Sequence, residues 1–408
     1  MSAEAALTAP DVIVVGGGPA GMMAGFLLAR AGVRTLVLEK HADFFRDFRG
    51  DTVHPSTMEI LSGLGLLDEF LKRPHYRLNK AEVEWEGETF EIADLAHLPT
   101  PAPFIAMMPQ WDFLDFVRDH AARLPTFALR MEAPVAGVIE DGARIAGVRL
   151  ASGEGLGAGK LVLMCDGRDS LVRTQALLPL EDLGAPIDVF WFAVPKPDRG
   201  EAVRGAVRGN HMIVQIDRGD YWQCAYVIAK GSAEAVEARG IEAFRRQLLA
   251  VSPELPDLAT ALPDFSKVKL LSVSLDRLTC WHRPGLLAIG DAAHAMSPVG
   301  GVGINLAIQD AVAAANILAR PLLDHANVDD LLSRVQARRT LPVRVIQAAQ
   351  RALHEAVLRP IVAGTTEEHR QPPAFLRLLQ RFPRLRRLPA RAIGLGIRRE
   401  HVRSPPAA

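Results

Sequence analysis

Apolar residues follow two different patterns along the chain. Residues 11–15, 160–165 and 286–289 contain short, continuous apolar runs, which are typical of parallel strands buried on both faces of a sheet. Between residues 185 and 276, apolar and polar positions alternate instead, as in antiparallel strands. The chain is therefore predicted to fold as an α/β protein in which a parallel sheet is interrupted by an antiparallel layer.

The same patterns set approximate bounds for the elements, with a hairpin turn predicted at residues 217–220. The predicted strands cover residues 11–15, 34–38, 80–92 (a strand pair), 129–132, 135–140, 144–150, 160–165, 189–194, 211–216, 221–228, 267–274 and 286–289. The predicted helices cover residues 22–31, 110–124 and 234–250, with further helices after Pro55, from near Asn305 and from Asp329 onward.

A glycine-rich turn follows the first strand. Gly16, Gly18 and Gly21 are spaced as in a dinucleotide-binding fingerprint: Gly16 for the tight turn, Gly18 for close approach to a pyrophosphate, and Gly21 for helix packing. Glu39 ends the second strand about 20 residues later, where a carboxylate accepts hydrogen bonds from an adenosine ribose. That carboxylate disfavours a 2′-phosphate, so NADP is not expected here, whereas NAD and FAD both fit.

Two further strand ends carry ligand chemistry. Asp166 and Gly167 follow one buried strand, and Gly290 and Asp291 follow another. A loop rich in Pro and Gly comes after Asp291 and leads into an Ala-rich helix. The free N–H groups and the positive dipole at such a helix start favour a bound anion. Three strand ends are therefore predicted to face a ligand.

Composition and charge narrow the classes of function. The 408 residues are 49 % apolar, enough for a sizeable core and two or three domains. The formal net charge of zero gives no electrostatic argument for nucleic acid as a partner. Three widely separated cysteines, without metal or redox spacing, are predicted to be unpaired thiols in a reducing compartment. No signal peptide or membrane span is expected, so we predict a cytoplasmic protein.

The order of the motifs adds a resemblance that no single motif carries. Three motifs follow one another: the glycine fingerprint with Glu39, then Asp-Gly-Arg-Asp-Ser-Leu-Val-Arg from Asp166, then Gly-Asp-Ala-Ala-His from Gly290 with Pro-x-Gly-Gly-x-Gly-x-Asn from Pro298. In this order they resemble the motifs of the FAD-dependent aromatic hydroxylases. These are group A flavoprotein monooxygenases of the para-hydroxybenzoate hydroxylase family. The resemblance covers roughly residues 11–319.

That family implies a fold and a division into domains. The fold would be α/β, with a Rossmann-type FAD-binding domain, an inserted antiparallel-sheet substrate domain and C-terminal helices. The FAD-binding domain would comprise residues 1–78, 109–184 and 277–326, the substrate domain residues 79–108 and 185–276, and a basic helical region residues 327–408. The extra C-terminal domain of the phenol and polyketide hydroxylases is not expected, so the chain resembles the smaller members, and Cys165 stands where the family usually has Ala before Asp-Gly.

The resemblance also implies site residues. The adenosine half of FAD would contact the fingerprint and the end of the second strand, and the ribityl chain and flavin ring would contact the last motif. The cofactor-binding residues would be Gly16, Gly18, Pro19, Ala20, Gly21, Glu39, Lys40, Arg49, Gln110, Asp166, Gly290, Asp291, Pro298, Gly301, Val302, Gly303, Ile304 and Asn305. Candidate substrate contacts are Trp191, Gln223 and Tyr226.

The implied activity is hydroxylation of an aromatic or other electron-rich small molecule. NADH or NADPH would reduce FAD as a transient co-substrate, and O₂ would form a flavin C4a-hydroperoxide that transfers oxygen. No catalytic side chain is assigned beyond Pro298 beside the ring, and no metal is expected. Two alternatives remain open: an oxidase or reductase without oxygen insertion, and a non-enzymatic NAD-binding module. The oligomeric state is left open between a monomer and a homodimer.

The C-terminal region is unusually basic. Residues 334–403 contain sixteen Arg, no Lys or Asp, and four Glu. Two interpretations are open: a solvated helical face, or a surface that rests on an anionic membrane. Pro383 and Pro389 are predicted to interrupt any long amphipathic helix there.

Overall fold

The computed structural model describes residues 9–45, 52–196, 203–255, 257–364 and 371–407. The strands in these residues are β1 (Val12–Val15), β2 (Thr35–Leu38), β3 (Thr52–Val53), β4 (Tyr76–Leu78), β5 (Lys80–Trp85), β6 (Glu88–Asp94), β7 (Ile105–Met107), β8 (Phe127–Arg130), β9 (Val135–Asp141), β10 (Arg144–Leu150), β11 (Gly155–Gly157), β12 (Leu161–Met164), β13 (Leu180–Asp182), β14 (Ile187–Pro195), β15 (Val203–Arg208), β16 (His211–Asp217), β17 (Tyr221–Ala229), β18 (Lys269–Leu271), β19 (Asp276–Leu278), β20 (His282–Arg283), β21 (Leu286–Ala288) and β22 (His294–Ala295).

The α-helices are α1 (Pro19–Arg30), α2 (Pro55–Gly63), α3 (Leu67–Phe70), α4 (Gln110–Ala121), α5 (Leu171–Thr174), α6 (Ala233–Glu237), α7 (Ile241–Val251), α8 (Leu258–Ala261), α9 (Gly303–Leu323), α10 (Asp329–Leu353), α11 (Arg359–Ala363), α12 (Ala374–Arg381) and α13 (Arg387–Gly394). A π-helical turn, His354–Leu358, joins α10 to α11, and short 3₁₀ turns include Gly290–Ala292, Val299–Gly301 and Pro383–Arg386.

The first sheet has the strand order β20-β21-β12-β1-β2-β8, and only β20 runs antiparallel to its neighbour. Helix α1 packs beside α4 and α9, while β10 packs against β12. Since helices and a second sheet cover its two faces, the central strands are continuously apolar, as predicted. The α/β fold class is thereby confirmed.

The second large sheet has the order β18-β14-β17-β16-β15-β5-β6. Its pairs are antiparallel except for β15 with β5, so the strand pair predicted at residues 80–92 joins the strands that follow residue 185. Strand β15 was not predicted, and the strand predicted at 267–274 is confined to β18. The predicted helix over 234–250 is divided into α6 and α7, because Gly240 between them has φ of +83°.

The cysteines are unpaired, and Cys165 and Cys224 are buried. Burial raises the pKa of both thiols, so they stay protonated as packed side chains. Among the described residues, the helical segment Val299–Leu323 has the length and apolar composition of a membrane span. Since 78 % of its apolar window is buried, we interpret it as a core helix.

A buried carboxylate on α9, that of Asp310, ties the first sheet to the C-terminal helices. Its Oδ2 lies 2.6 Å from Nε2 of His294 and accepts a hydrogen bond from the backbone N–H of Gly290 (3.1 Å). Its Oδ1 accepts from Nε of Arg339 on α10 (2.8 Å). Burial alone would raise the pKa of Asp310, but His294 and Arg339 hold it below its usual value.

The buried charges continue into the extended C-terminal residues. The Glu400 carboxylate accepts hydrogen bonds from Arg338 (2.6 Å) and from Arg339 (3.4 Å), and it is buried. Farther along, Asn316 on α9 accepts from the backbone N–H of Arg403 (2.7 Å). The end of the chain is thus fastened to α9 and α10 by buried or backbone-directed contacts.

We predict that Glu400→Gln lowers the free energy of unfolding by about 3 kcal/mol, because it removes the negative charge between two guanidinium groups that stay buried or half-buried. Urea denaturation followed by circular dichroism measures the loss. The matched control is Glu154→Gln, which breaks the exposed pair with Arg130. An equal, small effect of both substitutions would contradict a stabilising role for Glu400.

His54, at the N-terminus of α2, is fully buried beneath α13. Its Nδ1 lies 2.8 Å from the carbonyl oxygen of Ile393, so a neutral ring can donate there. Its Nε2 is buried without a hydrogen-bond partner among the described residues. Burial lowers the pKa of His54 to about 4, although the bond to Ile393 acts in the opposite direction. The ring is therefore neutral at physiological pH.

This shift predicts an acid-sensitive fold. The unfolded chain takes up a proton on His54 near pH 6.5, whereas the folded chain resists until about pH 4. His54 therefore contributes stability that is fully present above pH 6.5 and is lost as the pH falls toward 4. At pH 5 the loss in the free energy of unfolding should be about 2 kcal/mol. His54→Asn keeps a donor near Nδ1 and cannot titrate, so it should flatten this part of the profile.

The measurement is the urea midpoint of both proteins from pH 4.5 to 7.5. His325→Asn is the control, because His325 is exposed and its positive φ of 55° suits Asn. A wild-type profile that His54→Asn leaves unchanged would refute the assignment.

Candidate active site

The predicted ligand-facing strand ends lie side by side. Strands β2, β1, β12 and β21 are parallel neighbours in register, with Leu38 beside Val15, Val15 beside Met164, and Met164 beside Ala288. The residues that follow these ends are therefore also neighbours. At about 4.8 Å per strand, the row from Glu39 to Asp291 extends roughly 15 Å. This is a groove for an extended ligand, at the carboxyl edge where open α/β sheets bind ligands.

The three fingerprint glycines have different surroundings. Gly16 has φ of +100°, and a Cβ there would press on the backbone of Cys165. A Cβ on Gly21 would overlap the carbonyl oxygen of Gly16, so Gly21 serves the contact between strand and helix. A Cβ on Gly18, however, would meet no protein atom within 4 Å. The protein itself therefore gives no packing reason for glycine at position 18, whereas a ligand against the backbone does.

The start of α1 completes this end of the row. Gly18 caps the helix without a side-chain hydrogen bond, and Pro19 and Ala20 occupy the first turn. The free N–H groups and the helix dipole, worth about half an elementary charge, are available to a pyrophosphate. The buried Glu39 carboxylate accepts from the backbone N–H groups of Gly17 (2.9 Å) and His41 (3.0 Å), while Lys40 is exposed beside it.

The middle of the row combines Asp166 with two arginines. Asp166 Oδ2 accepts from the backbone N–H of Leu171 (2.9 Å), but its buried Oδ1 has no partner among the described residues. Burial raises the pKa of Asp166. Arg168 Nε donates to Asp291 Oδ2 (3.2 Å), and Arg173 donates to the carbonyl oxygen of Asp291 (2.6 Å).

Both arginines belong to the motif that begins at Asp166, but neither was predicted to contact the loop of Asp291. An Arg at a helix start is usually solvated, so its position beside a carboxylate more than 100 residues later cannot be read from the pattern. Arg173 also pairs with buried Asp276 (2.8 Å) and donates to the carbonyl oxygen of Ala292 (3.1 Å). Together these contacts fix the loop that carries Gly290 and Asp291.

The last part of the row is the start of α9. The helix begins at Gly303 without a side-chain cap, next to Asp291. Pro298, Gly301, Gly303 and Ile304 are half-buried, whereas Val302 and Asn305 are buried. The backbone N–H groups of this turn therefore face a place where a ring with a negative edge can be held.

The Asn305 side chain contacts other parts of the protein. Its Oδ1 accepts from the backbone N–H of His54 (2.9 Å) and from the hydroxyl of Thr57 (2.7 Å). Its Nδ2 donates to the carbonyl oxygens of Thr52 and Gly301, both at 3.3 Å. The side chain therefore fastens β3 and α2 to the start of α9, which leaves only its backbone for a ligand.

Two polar side chains of α10 and one of the π-helical turn that follows it hold the Pro298 loop from behind, and none of the three was predicted from the sequence. Gln347 donates to the carbonyl oxygen of Ala295 (3.2 Å), and Gln350 donates to those of Ser297 and Val299, both at 3.0 Å. His354 Nε2 lies 2.9 Å from the Ser297 hydroxyl. The signal in the sequence is their spacing of three and four residues, which puts a polar stripe on one side of a helix.

The structure says little about two of the predicted cofactor contacts, those of Gln110 and Arg49. Gln110 is the first residue of α4, half-buried after Pro109, and α4 starts without a side-chain cap. Arg49 lies outside the described residues, so its predicted contact with the cofactor remains a prediction.

The candidate substrate residues lie on opposite faces of the second large sheet. In the β14–β17 register, Ala193 is opposite Gln223 and Phe190 is opposite Tyr226. Gln223 therefore shares a face with Trp191, which is two residues before Ala193. Tyr226 lies on the other face, edge-on to Phe244 at 5.4 Å between ring centroids, with its hydroxyl 2.6 Å from His211 Nδ1.

The Trp191 face is turned toward the Pro298 loop. Trp191 and Val299 both pack against the apolar cluster that contains Ile187 and Val189. On its other side, Trp191 packs against a cluster that includes residues of α13. We therefore place Trp191 and Gln223, and not Tyr226, on the face that adjoins the candidate cofactor groove.

These observations fit an FAD molecule. The groove is long enough for an extended dinucleotide, Gly18 leaves open space, and two helix starts lack side-chain caps. The partnerless Asp166 Oδ1 is a buried acceptor beside that space. A buried polar atom without a partner is expected only where a ligand or water supplies one.

Comparison with known proteins agrees with this geometry. A family profile described as "FAD binding domain" matches residues 9–349. The chain is 32 % identical to a 6-methylpretetramide 4-monooxygenase of Streptomyces rimosus, over 81 % of this chain and 80 % of that relative. It is 27 % identical to a para-nitrophenol 4-monooxygenase of a Pseudomonas species, over 79 % and 81 % of the two chains.

A solved structure supports the same relationship. The Pseudomonas aeruginosa protein pqsL, described as a probable FAD-dependent monooxygenase, superposes with a TM-score of 0.72 at 25 % identity, over 87 % of this chain and 98 % of that one. Both named relatives are monooxygenases, which supports oxygen insertion over the oxidase, reductase and NAD-module alternatives. The chain belongs to the FAD-dependent aromatic monooxygenases of the para-hydroxybenzoate hydroxylase type, enzymes that use NAD(P)H and O₂.

Proposed function

We propose that this enzyme hydroxylates a neutral, apolar aromatic ring held between the Trp191 face of the second large sheet and the Pro298 loop. The observation that carries the proposal is the composition of that face. On its central strands β14, β16 and β17, the side chains that share the face with Trp191 include no charged group. They are Ile187, Val189, Trp191, Ala193, Pro195, Met212, Val214, Ile216, Tyr221, Gln223, Ala225, Val227 and Ala229.

The absence of charge there selects between substrate classes. Cationic groups lie at the margins of this face, where Arg218 donates to Gln223 (3.0 Å) and Lys269 of β18 is opposite Trp191. A carboxylated aromatic would have to lie against that margin, because burying its anion among the uncharged side chains of β14, β16 and β17 costs several kcal/mol. A neutral ring gains from the same surface, at about 25 cal/mol per Å² of apolar area buried. The names of the relatives, a nitrophenol and a pretetramide monooxygenase, are compatible with a ring that lacks a carboxylate.

When bound, FAD would supply the redox chemistry of the proposed reaction: acceptance of a hydride from NAD(P)H and transfer of one oxygen atom of O₂ to the ring, with the other oxygen atom leaving as water. Glu39 and the start of α1 would hold the adenosine and pyrophosphate. Asp291, fixed by Arg168 and Arg173, would bind the ribityl chain, and Asp166 would contact the cofactor with its free oxygen. The uncapped start of α9 would stabilise negative charge on the reduced ring by about 0.3 to 2 kcal/mol.

Besides holding the cofactor, the proposed site must exclude water from the reacting centre. Water there would divert reducing equivalents into H₂O₂ instead of product. Val299, the π-helical turn and α13 enclose the Trp191 face with apolar side chains. The loop that carries Val299 is held by Gln350, so this wall is attached to a buried hydrogen-bond network.

We predict that Gly18→Ala weakens FAD binding about tenfold or more and leaves the fold intact. The new methyl group would meet no protein atom, but it would occupy space that the cofactor needs. FAD fluorescence titration gives the Kd, and circular dichroism of the FAD-free protein gives the melting temperature.

Gly63→Ala is the matched control, since a Cβ there also meets open space and Gly63 is exposed on α2. Its Kd should equal that of the wild type. Unchanged FAD affinity in Gly18→Ala would remove the pyrophosphate from this turn.

We predict that a neutral fused-ring phenol such as 1-naphthol supports O₂ uptake and a product heavier by one oxygen, with kcat/KM about 100-fold above that for 4-hydroxybenzoate. Trp191→Ala should raise KM for the neutral phenol about tenfold, because a large aromatic contact is lost. It should also increase H₂O₂ released per NAD(P)H consumed, since the cavity admits water.

The control is Trp222→Phe, a change of aromatic residue on the opposite face of the same sheet, where Trp222 lies over Lys196. It should leave KM and the H₂O₂ yield within twofold of wild type. Preference for the carboxylated phenol, or equal effects of the two Trp substitutions, would overturn the placement of the substrate.

A further inference from the structure

The outer surface of helices α12 and α13 combines exposed apolar side chains with arginine. Helix α12 buries only Leu376, against the cluster of Trp85 and Phe90. Its other large side chains point outward, with Phe375 at 42 %, Leu378 at 48 % and Phe382 at 50 % exposure. A spacing of three and four residues puts them on one side of the helix. Leu388, at the start of α13, is 66 % exposed.

The charged side chains of this segment are all positive. Residues 371–399 contain eight Arg and no Asp, Glu or Lys. Two of the arginines are neutralised, Arg386 by Glu91 (3.1 Å) and Arg399 by Glu59 (3.0 Å). Among the described residues, no carboxylate pairs with the other six, which are Arg377, Arg381, Arg384, Arg387, Arg391 and Arg398. Five of these six arginines, all except Arg398, lie on α12, α13 and the turn between them, the same segment that carries the four exposed apolar side chains.

We propose that this Arg-rich surface, formed by α12, α13 and the turn between them, docks on an anionic lipid bilayer. Apolar side chains that enter the acyl boundary, with basic groups at the level of the phosphates, are the arrangement that binds bilayer interfaces. Contact with a second copy is disfavoured, because a two-fold interface would oppose the five arginines of this surface with the same five of the partner copy. The aliphatic Leu378 and Leu388 favour lipid over stacked nucleic-acid bases.

Docking would bring the Trp191 face, against which the substrate ring is proposed to bind, close to the bilayer. The inner side of α13 contributes Ala390 and Ile393 to the apolar cluster that Trp191 packs against. The same helix therefore has one side toward the bilayer and the other toward the proposed ring-binding face. An apolar substrate dissolved in lipid would then lie one helix away from the site. Docking itself does not depend on the substrate proposal.

The test is flotation of the full-length holoenzyme with vesicles of phosphatidylcholine containing about 30 % phosphatidylglycerol, at low and high salt. We expect binding to these vesicles at low salt, at least about tenfold weaker binding to pure phosphatidylcholine, and loss at high salt. Leu378→Ser with Phe382→Ser should reduce binding about tenfold, and so should Arg377→Gln with Arg381→Gln.

The matched control is Leu180→Ser with Leu270→Ser, which removes two apolar side chains of similar exposure from strands β13 and β18. It should leave flotation unchanged. Circular dichroism melts verify that all variants are folded, and NAD(P)H oxidation in detergent-free buffer verifies the site separately. No flotation, equal binding to neutral vesicles, or an equal loss in the control would overturn the proposal. Dimers that dissociate in Leu378→Ser with Phe382→Ser without any lipid binding would overturn it as well.

Discussion

The buried carboxylate of Asp310 is the interaction on which the rest of the structure depends. A carboxylate in a helix core is costly unless cations and N–H groups surround it, and breaking such a buried pair costs about 3–5 kcal/mol. Here the backbone of Gly290, the ring of His294 and the guanidinium of Arg339 meet these requirements. The same contacts fix three distant segments: the cofactor loop, helix α10 and, through Arg339 and Glu400, the end of the chain. The cofactor site and the C-terminal region are therefore one electrostatic unit.

Helix α10 extends this coupling toward the substrate side. Gln347, Gln350 and His354 hold the backbone of the Pro298 loop, so the loop position follows the position of α10. The π-helical turn and α11 continue from α10 to cover the Trp191 face. The proposed wall against water and the turn whose backbone N–H groups are proposed flavin contacts are thus attached to the same helix. A C-terminal region without sequence motifs would contribute to the site in this way.

Much of the cofactor groove could be predicted, because a dinucleotide is held by backbone and small residues at strand ends. Gly16, Gly18, Gly21 and Glu39 form a local pattern whose geometry is set within one strand, turn and helix. The parallel pairing of β1 with β12, and of β12 with β21, then brings the three ligand-facing ends together, because the carboxyl ends of parallel strands share one edge of the sheet. The substrate side was less accessible: Trp191 and Tyr226 look equivalent in an alternating pattern, and only the register shows that they face opposite ways.

The sequence by itself determined the fold class and the three ligand-facing strand ends, since these depend on periodicity and on short motifs. The fingerprint left both NAD and FAD open, and the resemblance carried by the order of the motifs selected FAD. It also showed the excess of arginine after residue 334, but not where those side chains point. Only the tertiary structure decided that Asn305 fastens the flavin-side turn, that Arg168 and Arg173 fix Asp291, and that Arg339 is buried whereas Arg377 and Arg381 are exposed. The physical reason is that packing brings together partners that are far apart in the chain, 29 residues for Arg339 with Asp310 and 123 residues for Arg168 with Asp291. The local pattern of an arginine is the same whether it meets a carboxylate or water.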